Sequence, residues 1–246
     1  MTRSLSDAKT FFNTAATLFK RLKIFASCGT MRGKIFLEMI TLRTDEKSFR
    51  ELYRQICLLE DTELVAKTNP REVFDFPPDE KLDGFLTYAH VTENNFVFEI
   101  LAGAQISAGR VKVFPASYKK SKKFKRGEVA DAEIKILTAD YSVAFRDRIQ
   151  LITDRKPDAA REQTRLIKTI DDFRHPDYPD DVAIYFFGEN HRPELLWVRC
   201  KSVDENILTG ELLVEPRQNF DVHAGDNVKF GVAEVNAQNI LIHLPR

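Results

Sequence analysis

The fold of the C-terminal part of this chain is decided by two apolar stretches, ELLWVRCKSV (194–203) and ILTGELLVEP (207–216). They are separated by a turn at Asp204, Glu205 and Asn206. Each stretch is the length of a β-strand, and an acidic-Asn turn between two such stretches predicts a β-hairpin. Five short antiparallel strands after one long helix (158–173) indicate a small curled sheet or a partly open barrel. The other three strands are VAIYFFG (182–188), AGDNVKFGVAEV (224–235) and NILIHLP (239–245).

Upstream, the pattern indicates a second structural unit. FLTYAHV (85–91) and FVFEILA (96–102), separated by a turn, predict another hairpin. KIFLEMITL (34–42) predicts a strand, and the helical spacing of apolar residues across 49–60 predicts a helix that begins at Thr44 or Asp45. Strands are also expected at 110–116 and 128–137. A divergent internal duplication of the C-terminal hairpin pattern is one explanation of the middle section, and chance similarity of β-hairpins is the other.

These patterns predict an α+β protein. We expect an N-terminal α/β-layered unit, then strand-rich antiparallel sheet or partly open barrel modules, with a C-terminal helix-plus-five-strand domain. The expected divisions are a basic amphipathic N-terminal segment (1–30), an N-terminal α+β domain (31–157) and a C-terminal domain (158–246). The polar stretch LITDRKPDAA (151–160), which contains a proline, motivates the second boundary.

Composition excludes several classes of protein. The chain has 246 residues, 43% of them hydrophobic, with 37 basic and 37 acidic residues and therefore no net charge. Such a chain is neither disordered nor strongly basic. Its three cysteines are odd in number and far apart, so we expect a reducing compartment, the cytoplasm, rather than a disulfide framework. No window approaches the roughly 18–20 apolar residues of a transmembrane helix.

Segment 1–30 combines helical apolar spacing with an excess of basic residues. A basic amphipathic helix can dock on the rest of the fold, lie on an anionic membrane surface or act as a targeting peptide. Met31, followed by an apolar strand pattern, is also a plausible start of the first domain. The sequence leaves these alternatives open.

A basic cluster between residues 118 and 126 is the main candidate binding site. Cations that are interleaved with aromatic rings can neutralise phosphates and stack on bases. An acidic protein partner, a solvated loop or a lysine-protected sheet edge explains the same pattern. The residues are Tyr118, Lys119, Lys120, Lys122, Lys123, Phe124, Lys125 and Arg126.

Motifs of enzyme chemistry are absent from the sequence. It has no GxxxxGK[ST], GxGxxG, HExxH, CxxC or GxSxG motif. We weighed a Cys200 nucleophile with His191 or His223, but Cys200 lies inside an apolar strand, where a thiol is inert. A divalent metal near His175 is the weaker explanation of the acidic loop 175–181. We therefore predict no metal and no cofactor, favour a protein that is not an enzyme, and leave an enzyme with a dispersed site open.

The region from residue 158 onward contains Glu194 shortly before Trp197, then Gly210, the pair Glu215-Pro216 and the pair Gly225-Asp226, in that order. Through these short motifs it resembles a bacterial family of domains of unknown function, number 2314. The family pattern is an acid before a tryptophan at the head of a strand, a glycine in the returning strand, an acid-Pro pair and a Gly-Asp before an apolar strand. The usual final Asp-Trp is absent here, with Ala237, Gln238 and Asn239 near its place. The matching positions are Glu194, Trp197, Gly210, Glu215, Pro216, Gly225 and Asp226.

The residues of this pattern have structural explanations. We predict that Trp197 anchors the core, that Gly210 permits close backbone approach, and that Gly225 takes a positive φ beside Asp226. The resemblance brings no activity, but related domains are suspected immunity proteins against toxins. We therefore expect a non-enzymatic bacterial protein that binds another protein, with nucleic-acid or anionic-membrane binding through residues 119–126 as the alternative.

Overall fold

The computed structural model describes residues 42–74, 76–77, 79–107, 110–116, 122–137, 139–155, 158–189 and 191–245. It confirms the α+β class, with one antiparallel sheet followed by one closed barrel. All of these residues belong to one compact unit, Ile40–Arg246, in which the expected boundary at 157/158 lies between two helices. The segment 1–30 lies outside the described residues. Within the described ranges, no helix has both the length and the apolar character needed to cross a membrane.

The first sheet has seven strands in the order β1-β7-β2-β3-β4-β5, with β6 paired to β4. Its registered pairs are all antiparallel. The strands are β1 (Leu42–Arg43), β2 (Ile56–Glu60), β3 (Gly84–Thr92), β4 (Asn95–Ser107), β5 (Arg110–Pro115), β6 (Lys123–Lys125) and β7 (Glu133–Ile136).

In the part of the chain that the structure describes, six helices accompany the first sheet and the barrel. They are α1 (Phe49–Leu52), α2 (Thr62–Thr68), α3 (Pro70–Val73), α4 (Ala139–Ala144), α5 (Arg146–Asp154) and α6 (Ala159–Leu166), and 3-10 turns cover Thr44–Glu46, Arg126–Val129 and Lys168–Phe173. Side chains of α5 pack on one face of the first sheet, where Ile152 belongs to the same buried hydrophobic cluster as Leu86 and Leu101. On another part of the sheet, Phe49 of α1 packs against Phe96.

The long central hairpin agrees with its prediction. β3 and β4 pair from Thr92↔Asn95 to Gly84↔Ala104 around a turn in which Glu93 has a φ of 52°. Both strands are buried along nearly their whole length, because side chains on both faces of the sheet are covered. Such double coverage explains their continuous apolar runs.

Two predicted helices are wrong in part. The expected helix across 44–60 is helical only at Thr44–Glu46 and Phe49–Leu52, and β2 follows. Arg54 has a φ of 63°, which ends the helical path, and the run from Ile56 to Leu59 is buried within the sheet. The expected helix 158–173 is α6 plus the 3-10 turn Lys168–Phe173, because Ile167 between them is extended. Of the expected strand 34–42, only Leu42 lies within the described residues, in β1.

The C-terminal strands close into a five-stranded barrel. Successive strands pair antiparallel, and the fifth pairs with the first in parallel at Ile242↔Tyr185. This confirms five strands after a helix, in a barrel that is closed rather than partly open. Gly210 allows the predicted close approach, since a Cβ there would lie 2.6 Å from the Arg199 carbonyl oxygen. The strands are β8 (Asp181–Phe186), β9 (Glu194–Asp204), β10 (Ile207–Leu212), β11 (Asn227–Val235) and β12 (Gln238–Leu244).

Trp197 does not anchor the barrel core, so that prediction is wrong. Alternation along β9 sends Leu196, Val198 and Cys200 into the barrel interior. Trp197 therefore faces the other way, is half-buried, and meets the His175 ring edge-on at 5.3 Å. The contribution of β9 to the barrel core comes from Leu196, Val198 and Cys200 instead.

Candidate functional site

A cavity of about 160 Å³ lies on the first sheet beside α5 and α6. It is the candidate site because charged, phenolic and imidazole side chains from distant parts of the chain converge there, which is typical of functional pockets. Its lining residues are Tyr53, Arg54, Tyr88, His90, Val91, Thr92, Glu99, Lys123, Ile152, Thr153, Arg155 and Glu162.

Glu99 is the central carboxylate of the cavity. It sits in the middle of β4 and is only 4% exposed. His90 Nε2 lies 3.3 Å from Glu99 Oε2, while Arg155 Nη1 and Arg148 Nη2 lie 3.9 Å and 4.0 Å from Oε1. Lys123 of β6 stands directly opposite Glu99 in the sheet. A single buried carboxylate is thus surrounded by basic groups from three elements.

Glu162 of α6 is the second carboxylate and is fully engaged. Its Oε2 accepts hydrogen bonds from the Tyr53 hydroxyl at 2.8 Å and from Arg54 Nη2 at 2.7 Å, and its Oε1 accepts one from Arg165 Nη1. Burial, reinforced by the hydrogen bond to Glu162, raises the pKa of Tyr53 to about 12. Tyr53 therefore stays a protonated donor at neutral pH.

Arg165 extends this network to the barrel. Its guanidinium donates to both carboxylate oxygens of Asp180, at 2.8 Å and 2.6 Å, just before β8 begins. The Asp180 carbonyl in turn accepts a hydrogen bond from the Cys200 amide at 2.7 Å. The wall of the cavity is therefore connected, residue by residue, to the barrel.

Cations exceed carboxylates at the cavity. The lining contains three basic side chains, Arg54, Lys123 and Arg155, and two carboxylates, Glu99 and Glu162. Outside the lining, Arg148 Nη2 lies 4.0 Å from Glu99 Oε1, and Arg165 shares Glu162 with Arg54 while it is also paired with Asp180. The Arg155 and Arg54 side chains are 65% and 38% exposed, so their charge is presented at the surface. Such an arrangement attracts an anion.

The predicted basic cluster is divided among different surroundings. Lys123 lines the cavity, Lys122 Nζ donates to the Thr68 carbonyl at 2.8 Å, and Lys125 is exposed. Phe124 packs against Phe85 with a ring separation of 5.5 Å, so its ring is part of the core surface. Tyr118, Lys119 and Lys120 lie outside the described residues.

Arg126 also points inward. It is 5% exposed and donates hydrogen bonds to the carbonyls of Thr44 and Lys47. The K-F-K alternation of β6 therefore places its two lysines on one side and Phe124 on the other. Of the cluster's described members, Lys123 is the one that meets the cations of the cavity.

The residues of the family-like pattern organise the barrel loops. Glu194 accepts hydrogen bonds from the Arg217 amide at 2.9 Å and from Gln218 Nε2 at 3.0 Å, which holds the loop after Pro216. Gly225 has the predicted positive φ, 95°, and Asp226 accepts the His223 amide at 2.8 Å. These contacts are structural.

The acidic loop and the cysteines supply no reactive centre in the described parts of the chain. Asp180 binds Arg165, Asp181 binds Arg199 at 2.7 Å and 3.1 Å, and no group of three or more metal-ligating side chains is found among the described residues. Burial raises the pKa of the Cys57 and Cys200 thiols to about 12, so both remain protonated at neutral pH.

Sequence reasoning missed most of the cavity. The signal that it overlooked is Glu99 itself, a lone charged residue in the apolar run FVFEILA. A carboxylate in a strand that is buried on both faces must find basic partners, because an isolated buried charge is very costly. His90, Arg148 and Arg155 are those partners.

No known protein family, no curated protein and no solved structure matches this chain significantly. The resemblance to the domains of unknown function stays a prediction.

Proposed function

We propose that this chain is a non-enzymatic binding protein that recognises an acidic group of a protein partner at the cavity on the first sheet. The observation that supports it is the excess of cations around the cavity, with Arg155 and Lys123 beside the buried Glu99 and Arg54 beside Glu162. A partner carboxylate would compensate this excess. Arginine suits the task, since its planar fork pairs with carboxylates.

Binding is favoured over catalysis by the state of the polar groups. Glu162 already accepts three hydrogen bonds, and Tyr53 is held as a donor to it. The described cysteines are buried and protonated. The cavity thus offers charge and hydrogen-bonding partners for a ligand, while the side-chain oxygens of Glu162 and Tyr53 are committed to the fold.

A carboxylate-bearing protein fits better than a nucleic acid. Residues 181–245, which form the barrel, contain ten acidic and five basic residues, so the barrel repels an extended polyanion. Phe124 and Arg126 face inward and are not displayed for base stacking or phosphate contact. Binding of nucleic acid or of an anionic membrane stays a prediction, as does the narrower role of neutralising a toxin.

Titration with defined probes tests this proposal. Hexaglutamate is the acidic probe, with hexalysine, a single-stranded oligonucleotide and phosphatidylserine vesicles as alternatives. We expect hexaglutamate to bind and its affinity to fall with added salt. Lys123→Gln with Arg155→Gln should weaken this binding about tenfold, equivalent to about 1.4 kcal/mol.

The control is Arg217→Gln with Lys229→Gln, which removes two exposed cations of the barrel. It should leave the affinity for hexaglutamate nearly unchanged. Equal losses in both double variants would contradict a specific site at the cavity. Tighter binding of the oligonucleotide or of the vesicles than of hexaglutamate would favour the polyanion alternative instead.

A further inference from the structure

The β11–β12 hairpin extends past the body of the barrel as a two-stranded ribbon. The pairing of β10 with β11 ends at Leu208↔Phe230, whereas the pairing of β11 with β12 continues to Val235↔Gln238. At about 3.3 Å per residue, the ribbon continues about 13 Å beyond Gly231. Among the residues that the structure describes, no strand pairs with this part of β11, so the β11 side of the ribbon is a sheet edge.

The turn of the ribbon determines which backbone groups face outward. Asn236 and Ala237 have φ values of 52° and 60°, the positive pair typical of a two-residue type I′ turn. In such a hairpin Val235 and Gln238 form a hydrogen-bonded pair, and these pairs alternate along the ribbon. The amide and carbonyl groups of Val232 and Glu234 therefore point away from β12, toward the open edge.

The side chains near this edge are apolar and exposed. Val232 is 41% exposed, Val235 is 46% exposed, and Ile207, at the adjoining end of β10, is 44% exposed. β-branched residues gain stability from cross-strand neighbours, which an added strand would provide. The edge thus combines outward backbone groups with apolar side chains.

The charge of the surroundings selects the occupant. Glu234 lies on the edge, and Asp204 and Glu205 form the neighbouring exposed turn. The barrel as a whole (residues 181–245) has an acidic excess, ten residues to five. A second copy of the same edge would bring like charges together, whereas a basic strand would be attracted.

We infer that the edge of β11 from Val232 to Val235 is a docking site for an extended, basic segment of a protein partner, which adds as a strand. Main-chain hydrogen bonds to Val232 and Glu234 supply the register, as in other cases of strand addition. Lysine or arginine side chains of the segment pair with Glu234 and the Asp204–Glu205 turn. This surface is separate from the cavity on the first sheet and opposite in charge, so it does not depend on the function proposed for the cavity.

Capped peptides provide the test. The probe is KVKVKV, the charge-reversed control is EVEVEV, and the full-length protein is followed by amide NMR and hydrogen exchange. We expect KVKVKV to shift the amide signals of residues 231–235 and to slow exchange at Val232 and Glu234 at least about tenfold. A KVPVKV peptide, with proline in place of a lysine, should bind more weakly because it lacks one donor.

Charge reversal separates strand addition from general attraction. Glu234→Lys should abolish the slow exchange with KVKVKV, whereas Glu189→Lys, an exposed change elsewhere on the barrel, should preserve it. Signal shifts spread over all the acidic residues, or equal effects of the two variants, would overturn the proposal. The proposal would also be overturned if the Val232 amide became more protected from exchange as the protein concentration increased without peptide. In that case a second copy of the chain would be the occupant of the edge.

Discussion

Arg165 and Asp180 form a buried two-point ion pair that joins α6 to the start of β8. The residues are 2% and 0% exposed, and the two hydrogen bonds measure 2.8 Å and 2.6 Å. Arg165 also binds Glu162, which holds Tyr53 and Arg54 of the first sheet region. Through this one guanidinium the barrel and the cavity wall are mechanically connected.

Arg165→Met should lower the free energy of unfolding by about 3–5 kcal/mol, because it leaves a buried carboxylate without its partner. Urea unfolding measures the loss. The matched control is Glu211→Gln, which breaks the exposed Lys201–Glu211 pair at 2.8 Å and should cost less than about 1 kcal/mol. A similar small loss in both variants would contradict the structural role of the buried pair.

Tyr53→Phe should destabilise the fold by about 1–3 kcal/mol at neutral pH, because Glu162 loses a buried donor. The pKa of Tyr53 is raised to about 12, above its ordinary value near 10. Its protonated form is therefore favoured by folding, and this contribution is complete below pH 10 and is lost between about pH 10 and 12. Between pH 10 and 12 the free energy of unfolding should therefore fall more steeply with pH for the wild type than for Tyr53→Phe. Parallel curves for the two proteins would contradict this role of the Tyr53 hydroxyl.

Gly210→Ala and Gly225→Ala should destabilise the barrel for different reasons. At Gly210 a Cβ would lie 2.5 Å from Val198 Cγ1 and 2.6 Å from the Arg199 carbonyl oxygen, so strands must separate, at about 1–3 kcal/mol or more. At Gly225 the space is open within 4 Å, but φ is 95°, so only backbone strain of about 1 kcal/mol or more is expected. Chemical unfolding compares the losses of unfolding free energy in the two variants. Shifts of the amide NMR signals across β9 should accompany only Gly210→Ala.

Cys57 and Cys200 should resist thiol reagents in the folded protein. Burial raises the pKa of both thiols to about 12, so the thiolate is scarce at neutral pH and access is blocked. In a Cys28→Ser variant, reaction with a thiol-specific dye should proceed only at the rate of unfolding. Rapid labelling without denaturant would show that one of these strands opens locally.

Some of the fold follows from local patterns in the sequence. The β3–β4 hairpin and the five barrel strands were predictable because alternating or continuous apolar runs are separated by acidic-Asn or Gly-Asp turns. The error at β2 has a physical reason: Phe49, Leu52, Ile56 and Leu59 have helical spacing, yet Ile56 to Leu59 is a four-residue buried run. Short buried runs do not distinguish helix from strand.

The cavity was less predictable because its residues are distant in sequence. Glu99, His90, Arg155 and Glu162 come from β4, β3, the end of α5 and α6, and only the tertiary fold brings them together. The basic cluster is divided for a local reason, since the alternation of β6 directs Phe124 inward and its two lysines outward. Trp197 shows the same effect, because period-two alternation, not residue size, decides which side of β9 faces the core.

The parallel pairing of β12 with β8 has a consequence for synthesis on the ribosome. The barrel closes only when residues near Ile242 have emerged and reached Tyr185. Until then β8 and β11 both have open edges, and their apolar side chains are accessible to other nascent chains. Open edges of this kind favour aggregation. Conditions that delay the translation of residues 238–244 should therefore lower the yield of folded protein more than equal delays within the first sheet.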